Sequence, residues 1–459
     1  MTPRKHHPGA DPRWTLAACI LASSLSFIDG SVLNVALPAI RASTHAGAAE
    51  VQWVVNAFTL PLASLILLGG ALGDHHGRRL WLVIGTAVFG AASLLCALAP
   101  SLHILLAGRA IQGIGAALLL PNSLALLNGA YQGEKRGRAV GIWAAAGAIS
   151  AAIAPLIGGW LVDHAGWPSI FFINLPIAAG AILLALTKVP EAREQERARL
   201  DFAGAALATL GLGAATYGLT LWSSDRAFSA TAGIALVAGA LLLAGFILVE
   251  RRLGAKAMIP LALFANRCFS ALNLMTFLLY GAFGGALLLI PYVLIAAGGY
   301  SPVQAGLSLL PLSILIGLSS PLMGKFAARI GPRLPLTVGP GIVAAGLLLG
   351  TRIAADQSYW SHVFPAVTVM ALGMALLVAP LTSAVLGSVE EHQTGMASGF
   401  NSALSRTGGL VAVALLGGVL AGGGKAMLGP FAVALVAMAI VAASGAVAAW
   451  VGLSGAKPR

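Results

Sequence analysis

Asp29 stands in the middle of an apolar run, WTLAACILASSLSFIDGSVLNVALP from Trp14 to Pro38, where an ionised carboxylate is costly unless it is paired or faces water. A carboxyl group in that setting can take up and release a proton as its surroundings change, because burial favours the neutral acid and a nearby cation favours the anion. Arg109 lies in another apolar run, LLAGRAIQGIGAA, with Gln112 one helical turn on. A guanidinium releases no proton itself, but it can tune the proton affinity of a carboxylate that it approaches. A purely structural Arg109, bonded to backbone carbonyls, and an Asp29 that braces its helix near Gly30 are the competing readings. A third charge, Arg406 in FNSALSRTGGL, has Glu390 and Glu391 upstream as possible partners or supports coupling from the second half of the chain.

The elements that must hold these residues are membrane helices. The chain of 459 residues is 58% hydrophobic and 9% charged, with mean hydropathy +0.90, far below the charge content of a soluble protein, about 25%. Apolar windows at 14–38, 51–72, 80–99, 103–126, 138–160, 170–187, 203–222, 230–249, 269–296, 303–323, 335–351, 362–386, 395–420 and 429–453 predict fourteen transmembrane helices in an all-α polytopic protein. An even count puts both termini on one side. Of the 27 basic residues, only Arg41, Arg226, Arg352 and Lys425 fall on the opposite side and only Arg109 and Arg406 in spans, which makes the termini cytoplasmic. The net charge of +12 is spread over many short loops, so it does not point to nucleic acid. Cys19, Cys96 and Cys268 lack metal-ligand spacing, and His75 and His76 belong to a charged turn, so no metal site or cofactor is expected. An enzyme is disfavoured because no nucleophile–base set, soluble domain or phosphate-binding loop occurs.

The turn after the second span, GALGDHHGRR, sets Gly70, Asp74, Gly77, Arg78 and Arg79 at the membrane surface. In the pattern G-x-L-x-D-x-x-G-R-R it resembles the signature loop of the major facilitator superfamily. With LLAGRAIQGIGAA, with Gly141 and the APLIGG run of the fifth span (Pro155, Gly158, Gly159), and with IDGSVLNVALP, GWPSIFFINLP and SPVQAGLSLLP, the chain resembles the fourteen-helix drug:proton antiporter family. These are multidrug exporters of the quaternary ammonium compound and dye type. The sequence departs from that pattern at Ala154, at Pro168 and Ser169, and at Ala328 in the second-half segment GKFAARIGPR, which keeps Arg329 and Arg333.

The resemblance implies two six-helix bundles, 1–188 and 269–459, with cytoplasmic linkers at 189–202 and 250–268 and an extra helix pair at 203–249. It implies alternating access powered by the proton gradient in a bacterial cytoplasmic membrane, with Asp29 and Arg109 coupling protons, supported by Asn34, Gln112 and Arg406. Gly70, Asp74, Gly77, Arg78, Arg79, Arg329 and Arg333 are then a cytoplasmic gate, and Gly141, Gly147, Pro155, Gly158 and Gly159 a hinge or packing motif. Aromatic and neutral polar residues within or near spans could line a cavity for amphipathic cargo: Trp53, Asn56, Phe58, Asn122, Trp143, Asn273, Phe277, Tyr280, Phe283, Tyr292, Gln304, Met374 and Asn401. A single buried carboxylate favours monocationic or neutral cargo over dications. Expected partners are small substrates, protons and lipid, with no obligate protein partner and a monomeric state. The rival readings are a dedicated exporter of one endogenous metabolite or antibiotic, an uptake symporter, and a non-transporting membrane sensor.

Overall fold

A computed structural model describes residues 11–192, 200–224, 228–254, 257–353, 358–390 and 393–454. Arg4, Lys5, Arg193, Arg197, Arg199, Arg226, Lys256, Lys457, Arg459, Glu194, Glu196, Glu391, Asp225 and Asp356 lie outside these ranges, as does the middle of the 189–202 linker, 193–199. Fourteen long helical segments follow in order: α1 Pro12–Thr44, α2 Ala48–His76, α3 Arg78–Ala97, α4 Leu102–Ala130, α5 Gly133–Ala165, α6 Ser169–Lys188, α7 Phe202–Ser224 and α8 Ala230–Leu253, then α9 Arg267–Ala296, α10 (Pro302–Ser308 continued by Leu310–Ile330), α11 Arg333–Gly350, α12 Tyr359–Gly387, α13 Thr394–Ala414 and α14 Leu428–Gly452.

Helix ends follow from local chemistry. Asp11 caps α1 by accepting from the Arg13 amide at 2.9 Å, with Pro12 at the first position where a missing N–H costs nothing. Asn266 caps α9 through the amides of Cys268 and Phe269. Ser301 and Gln304 close a reciprocal capping box on α10. The α2–α3 corner turns on Gly77 at φ 128°, a conformation that strains any side-chain-bearing residue.

Thirteen helices among the described residues are long and apolar enough to cross a bilayer. The exception is α13, which has 21 residues, including Ser398, Asn401, Ser402, Ser405, Arg406 and Thr407. The window expected at 395–420 is also shorter as a helix: it stops at Ala414, and Gly417–Leu420 forms a separate turn.

Helices α1–α6 pack among themselves through α1/α5, α1/α6, α2/α4, α3/α4 and α3/α6; α9–α14 do so through α9/α13, α9/α14, α10/α12, α11/α12 and α11/α14. The two groups meet along α2/α13, α5/α10 and α1/α9. At the end remote from Asp74, Arg41 of α1 donates to the Tyr292 hydroxyl of α9 at 2.8 Å and to the Leu420 carbonyl at 2.7 Å. A Cβ at Gly159 would come within 2.6 Å of the Pro302 backbone, and one at Gly306 within 2.5 Å of the Pro155 carbonyl, so α5 and α10 touch backbone to backbone there. Towards the Asp74 end nothing stands within 4 Å of that position at Gly141 of α5 or Gly317 of α10. The α5/α10 seam is therefore shut at one end and open at the other.

The inserted pair is anchored through α7, which leans on the α2/α13 seam from outside. Thr209 donates to Ser64 of α2 at 2.9 Å, Tyr217 packs beside Trp53, and Ser223 donates to the Ala414 carbonyl at the end of α13 at 2.6 Å.

Candidate functional site

Asp29, Arg109 and Gln112 form one buried cluster between α1 and α4, with relative exposures of 1%, 1% and 0%. The Arg109 Nη1 donates directly to Asp29 Oδ2 and also to Gln112 Oε1 at 2.8 Å, while Nε donates to the Val54 carbonyl of α2 at 3.1 Å. Gln112 donates to Asp29 Oδ1 at 3.3 Å and to the Ser93 hydroxyl of α3 at 2.8 Å, and Asn174 of α6 donates to the same hydroxyl at 3.3 Å. The Phe58 ring lies 4.5 Å from the guanidinium carbon and the Phe171 ring 5.8 Å, so the ion pair is roofed by aromatic faces that themselves favour a cation.

Five of the first six helices thus converge on one neutral pair. A buried pair repays its desolvation only with good geometry and further hydrogen bonds, both present here. Losing one partner strands the other, at about 3–5 kcal/mol.

The other expected members sit elsewhere. Asn34 is half-buried on α1, outside the network. Phe58 belongs to the roof of the ion pair. Asn122 is fully buried and donates to the Gly69 and Leu118 carbonyls, welding α4 to α2. Trp143 donates to Ser23 at 3.0 Å and packs edge-on to Phe27. Asn401 of α13 donates to Asn273 and Thr276 of α9 at 3.1 and 2.8 Å, so these residues fasten two second-half helices. Tyr292 is buried at the closed end against Arg41, and Gln304 caps α10. Met374 and Phe283 are packed in the apolar core. Phe277 and Tyr280 are half-buried on α9, and Trp53 faces the inserted pair. The structure therefore distributes the expected cavity wall over clamps, caps and core, because neutral polar residues in membrane helices serve interhelical bonding as readily as ligand binding.

The gate residues also separate. Arg78 bonds Asp74 at 2.9 Å and the Ala125 carbonyl at 3.3 Å; Glu191 accepts from the backbone amides of Arg79 and Leu80 at 2.9 and 3.2 Å. These contacts tie α2, α3, α4 and the end of α6 within the first half. Arg333 lies over the Trp450 ring at 3.8 Å within the second half, and Arg329 is exposed. In the hinge motif Gly147 abuts the Phe27 ring, Gly158 abuts Val32 and Gly159 abuts Pro302, whereas Gly141 is open.

Sequence reading missed Ser93, Asn174, Phe171, Glu191, Gln52 and Arg41. Asn174 and Phe171 stood in the GWPSIFFINLP segment after the fifth span, and a polar Asn just inside the sixth apolar window was the available signal. Asp201 and Glu250 are a further surprise: buried at the foot of the α7/α8 pair, each keeps a carboxyl oxygen without a donor, both near Gly204. Among the described residues no group of three or more His, Cys, Asp or Glu can hold a metal ion.

The Major Facilitator Superfamily model matches residues 19–272. The multidrug resistance protein Stp of Mycobacterium tuberculosis is 35% identical over 417 residues, covering 91% of this chain and 77% of its own. The methylenomycin A resistance protein of Bacillus subtilis is 35% identical over 412 residues, covering 88% and 87%. The probable actinorhodin transporter of Streptomyces coelicolor is 33% identical over 417 residues, covering 88% and 72%. Among solved structures, a bacterial homologue of the human drug peptide transporters PepT1 and PepT2 superposes with TM-score 0.70 at 13% identity, covering 97% of this chain and 98% of that one, a likeness of fold.

Proposed function

Because the chain belongs to the Major Facilitator Superfamily, and so is a multi-pass membrane transporter and not an enzyme, we propose that it exports small amphipathic molecules from the cytoplasm in exchange for protons, as a fourteen-helix drug:proton antiporter. The observation that carries the proton half of this reading is the buried Asp29–Arg109–Gln112 cluster. The export half draws on relatives named for drug resistance. A narrower reading, export of one compound, is favoured by relatives named for a single antibiotic.

With the basic Asp74 end in the cytoplasm of a bacterial cell, the open α5/α10 seam faces inward and the Arg41–Tyr292 closure faces outward. Both termini are then cytoplasmic, and the two groups of six helices rock about the α5/α10 and α2/α13 seams as a monomer, with α7 and α8 as a flanking pair. Cargo enters from the inside while Asp29 is ionised and held by Arg109. When a proton reaches Asp29, Arg109 keeps Gln112, Val54 and the Phe58 face but loses its counter-ion. The destabilisation, about 3–5 kcal/mol, approaches the roughly 5.5 kcal/mol that swings a two-state equilibrium from 1:99 to 99:1. The proton thus acts through conformation. Direct competition at Asp29, on which the expected preference for monocations rested, loses support because the carboxylate is sealed behind its partners.

Purified protein in liposomes loaded with a pH-sensitive dye tests this. Substrate-dependent proton movement is expected for the native chain, with loss in Asp29→Asn at equal abundance. Undiminished exchange in that variant would sink the proton assignment.

A further inference from the structure

Arg406 is the second arginine at mid-helix depth, and among the described residues it has no counter-ion. It lies twelve residues into α13, half-buried, and among the described residues no hydrogen-bond acceptor or carboxylate engages it. Glu390 lies beyond the start of α13, and the dozen residues between Thr394 and Arg406 already span roughly 18 Å of helix. A charged arginine at this depth survives by facing water or a pathway, and such residues mark substrate routes by default.

The direction it faces follows from its neighbours. Gly399 abuts Leu67 of α2, and the carbonyls of Val413 and Ala414 accept from Gln52 of α2 at 2.9 and 3.3 Å. At about 100° per residue, Arg406 falls on the same stripe of α13 as Gly399 and Val413, turned towards α2. Running antiparallel, α2 places Thr59 and Leu60 level with it, and Asn56 about one turn nearer the closed end on the facing stripe with Gln52 and Leu67. Asn56 is fully buried, yet both its Nδ2 and Oδ1 lack any hydrogen-bond partner. Buried polar atoms are normally satisfied, so an orphaned carboxamide on the stripe that faces an unpaired guanidinium marks an incomplete site. The Arg406 guanidinium and the Asn56 Nδ2 both lack an acceptor, and a carboxylate matches the guanidinium fork while accepting from that amide.

The rest of the route has the same sign. Its buried acid, Asp29, is cancelled by Arg109. At the closed end Arg41 binds only a phenol and a carbonyl, beside a cavity of about 480 Å³ that also bears His45. The field along the path is therefore positive, which concentrates anions.

We propose that Arg406, with Asn56, recognises a negatively charged group on the cargo, so that the preferred substrates are amphipathic molecules bearing a carboxylate or a comparable single anionic group. The inference rests on the export reading above and names its substrate class.

The test is equilibrium binding by fluorescence anisotropy with the purified full-length protein, comparing fluorescein, an anionic carboxylated xanthene, with rhodamine 123, its cationic ester relative. Native protein should bind fluorescein at least tenfold tighter. Arg406→Gln should erase that preference by weakening fluorescein roughly tenfold while leaving rhodamine 123 unchanged or tighter, and Arg406→Lys should restore part of it. Asn56→Leu should weaken fluorescein by a smaller factor. Equal binding of the two dyes by the native protein, no binding of fluorescein, or proportionate loss of both dyes in Arg406→Gln would overturn the proposal. If Arg406→Gln does not fold, the native dye ratio and Arg406→Lys decide alone. No gradient is needed, so failure of proton coupling in liposomes would count against the export mechanism and leave the charge preference standing.

Discussion

Two arginines divide the molecule's electrostatics. Arg109, in the first six helices, meets a carboxylate, a carboxamide, a backbone carbonyl and two aromatic faces, and is sealed at 1% exposure. Arg406, in the last six, meets none of these among the described residues and is half-buried. On the functions proposed above, the same side chain at similar depth serves opposite ends: where every valence is satisfied a proton would disturb the balance, and where none is the cargo would complete it. The proposed roles keep proton and substrate apart, with coupling carried by the helices between them.

The contrast is broken or sharpened most strongly by removing each charge. Arg109→Gln should destabilise the fold by about 3–5 kcal/mol, because Asp29 is left ionised or forced to hold a proton, and Asp29→Asn combined with Arg109→Gln should recover part of that loss. Arg406→Gln should leave thermal unfolding in detergent unchanged or raise it, since it removes an unpaired charge. Destabilisation of equal size by the two single variants would mean that Arg406 has a structural partner after all. The next effect lies at the seam. Gly159→Leu should cost about 1–3 kcal/mol by overpacking against the Pro302 backbone, and in cysteine-labelling assays it should expose the closed end. Gly141→Ala, where nothing is within 4 Å, should be neutral or stabilise by about 0.5–1 kcal/mol through helix propensity. Arg41→Gln, which removes two hydrogen bonds to Tyr292 and Leu420 worth about 1 kcal/mol each, should lie between these two in size and raise the accessibility of the closed end without abolishing transport.

Much of the frame was legible in the sequence because bilayer thickness fixes helix length and loop charge fixes side: the windows around α1 to α12 differ from the helices mainly at their ends. Asp29 and Arg109 were legible for a related reason, since charges inside apolar runs are conspicuous. Their network was not. Ser93 and Asn174 are ordinary residues until α3 and α6 bring them against Gln112, and only the three-dimensional path supplies that. The wall of aromatic and polar candidates is less legible for the complementary reason: a sequence shows that Asn122, Asn273 and Tyr292 are polar within spans but does not show that they bond to neighbouring helices. Asn56 and Arg406 became informative only once the same accounting found no partner for them.

The polarity of α13 also bears on how the chain is built. An arginine near the middle of a helix opposes insertion by about 2.5–3.5 kcal/mol, and this helix carries serines and an asparagine besides. It has little tendency to enter lipid when it leaves the translocon alone. Its anchors are earlier arrivals: Asn273 and Thr276 on α9, Gln52 on α2 and Ser223 on α7 all wait with groups aimed at it. In chain order α13 is drawn into a slot prepared by three helices that precede it, with α14 still to follow, so the placement of Arg406, the residue proposed to meet the cargo, depends on those earlier helices being in the membrane first.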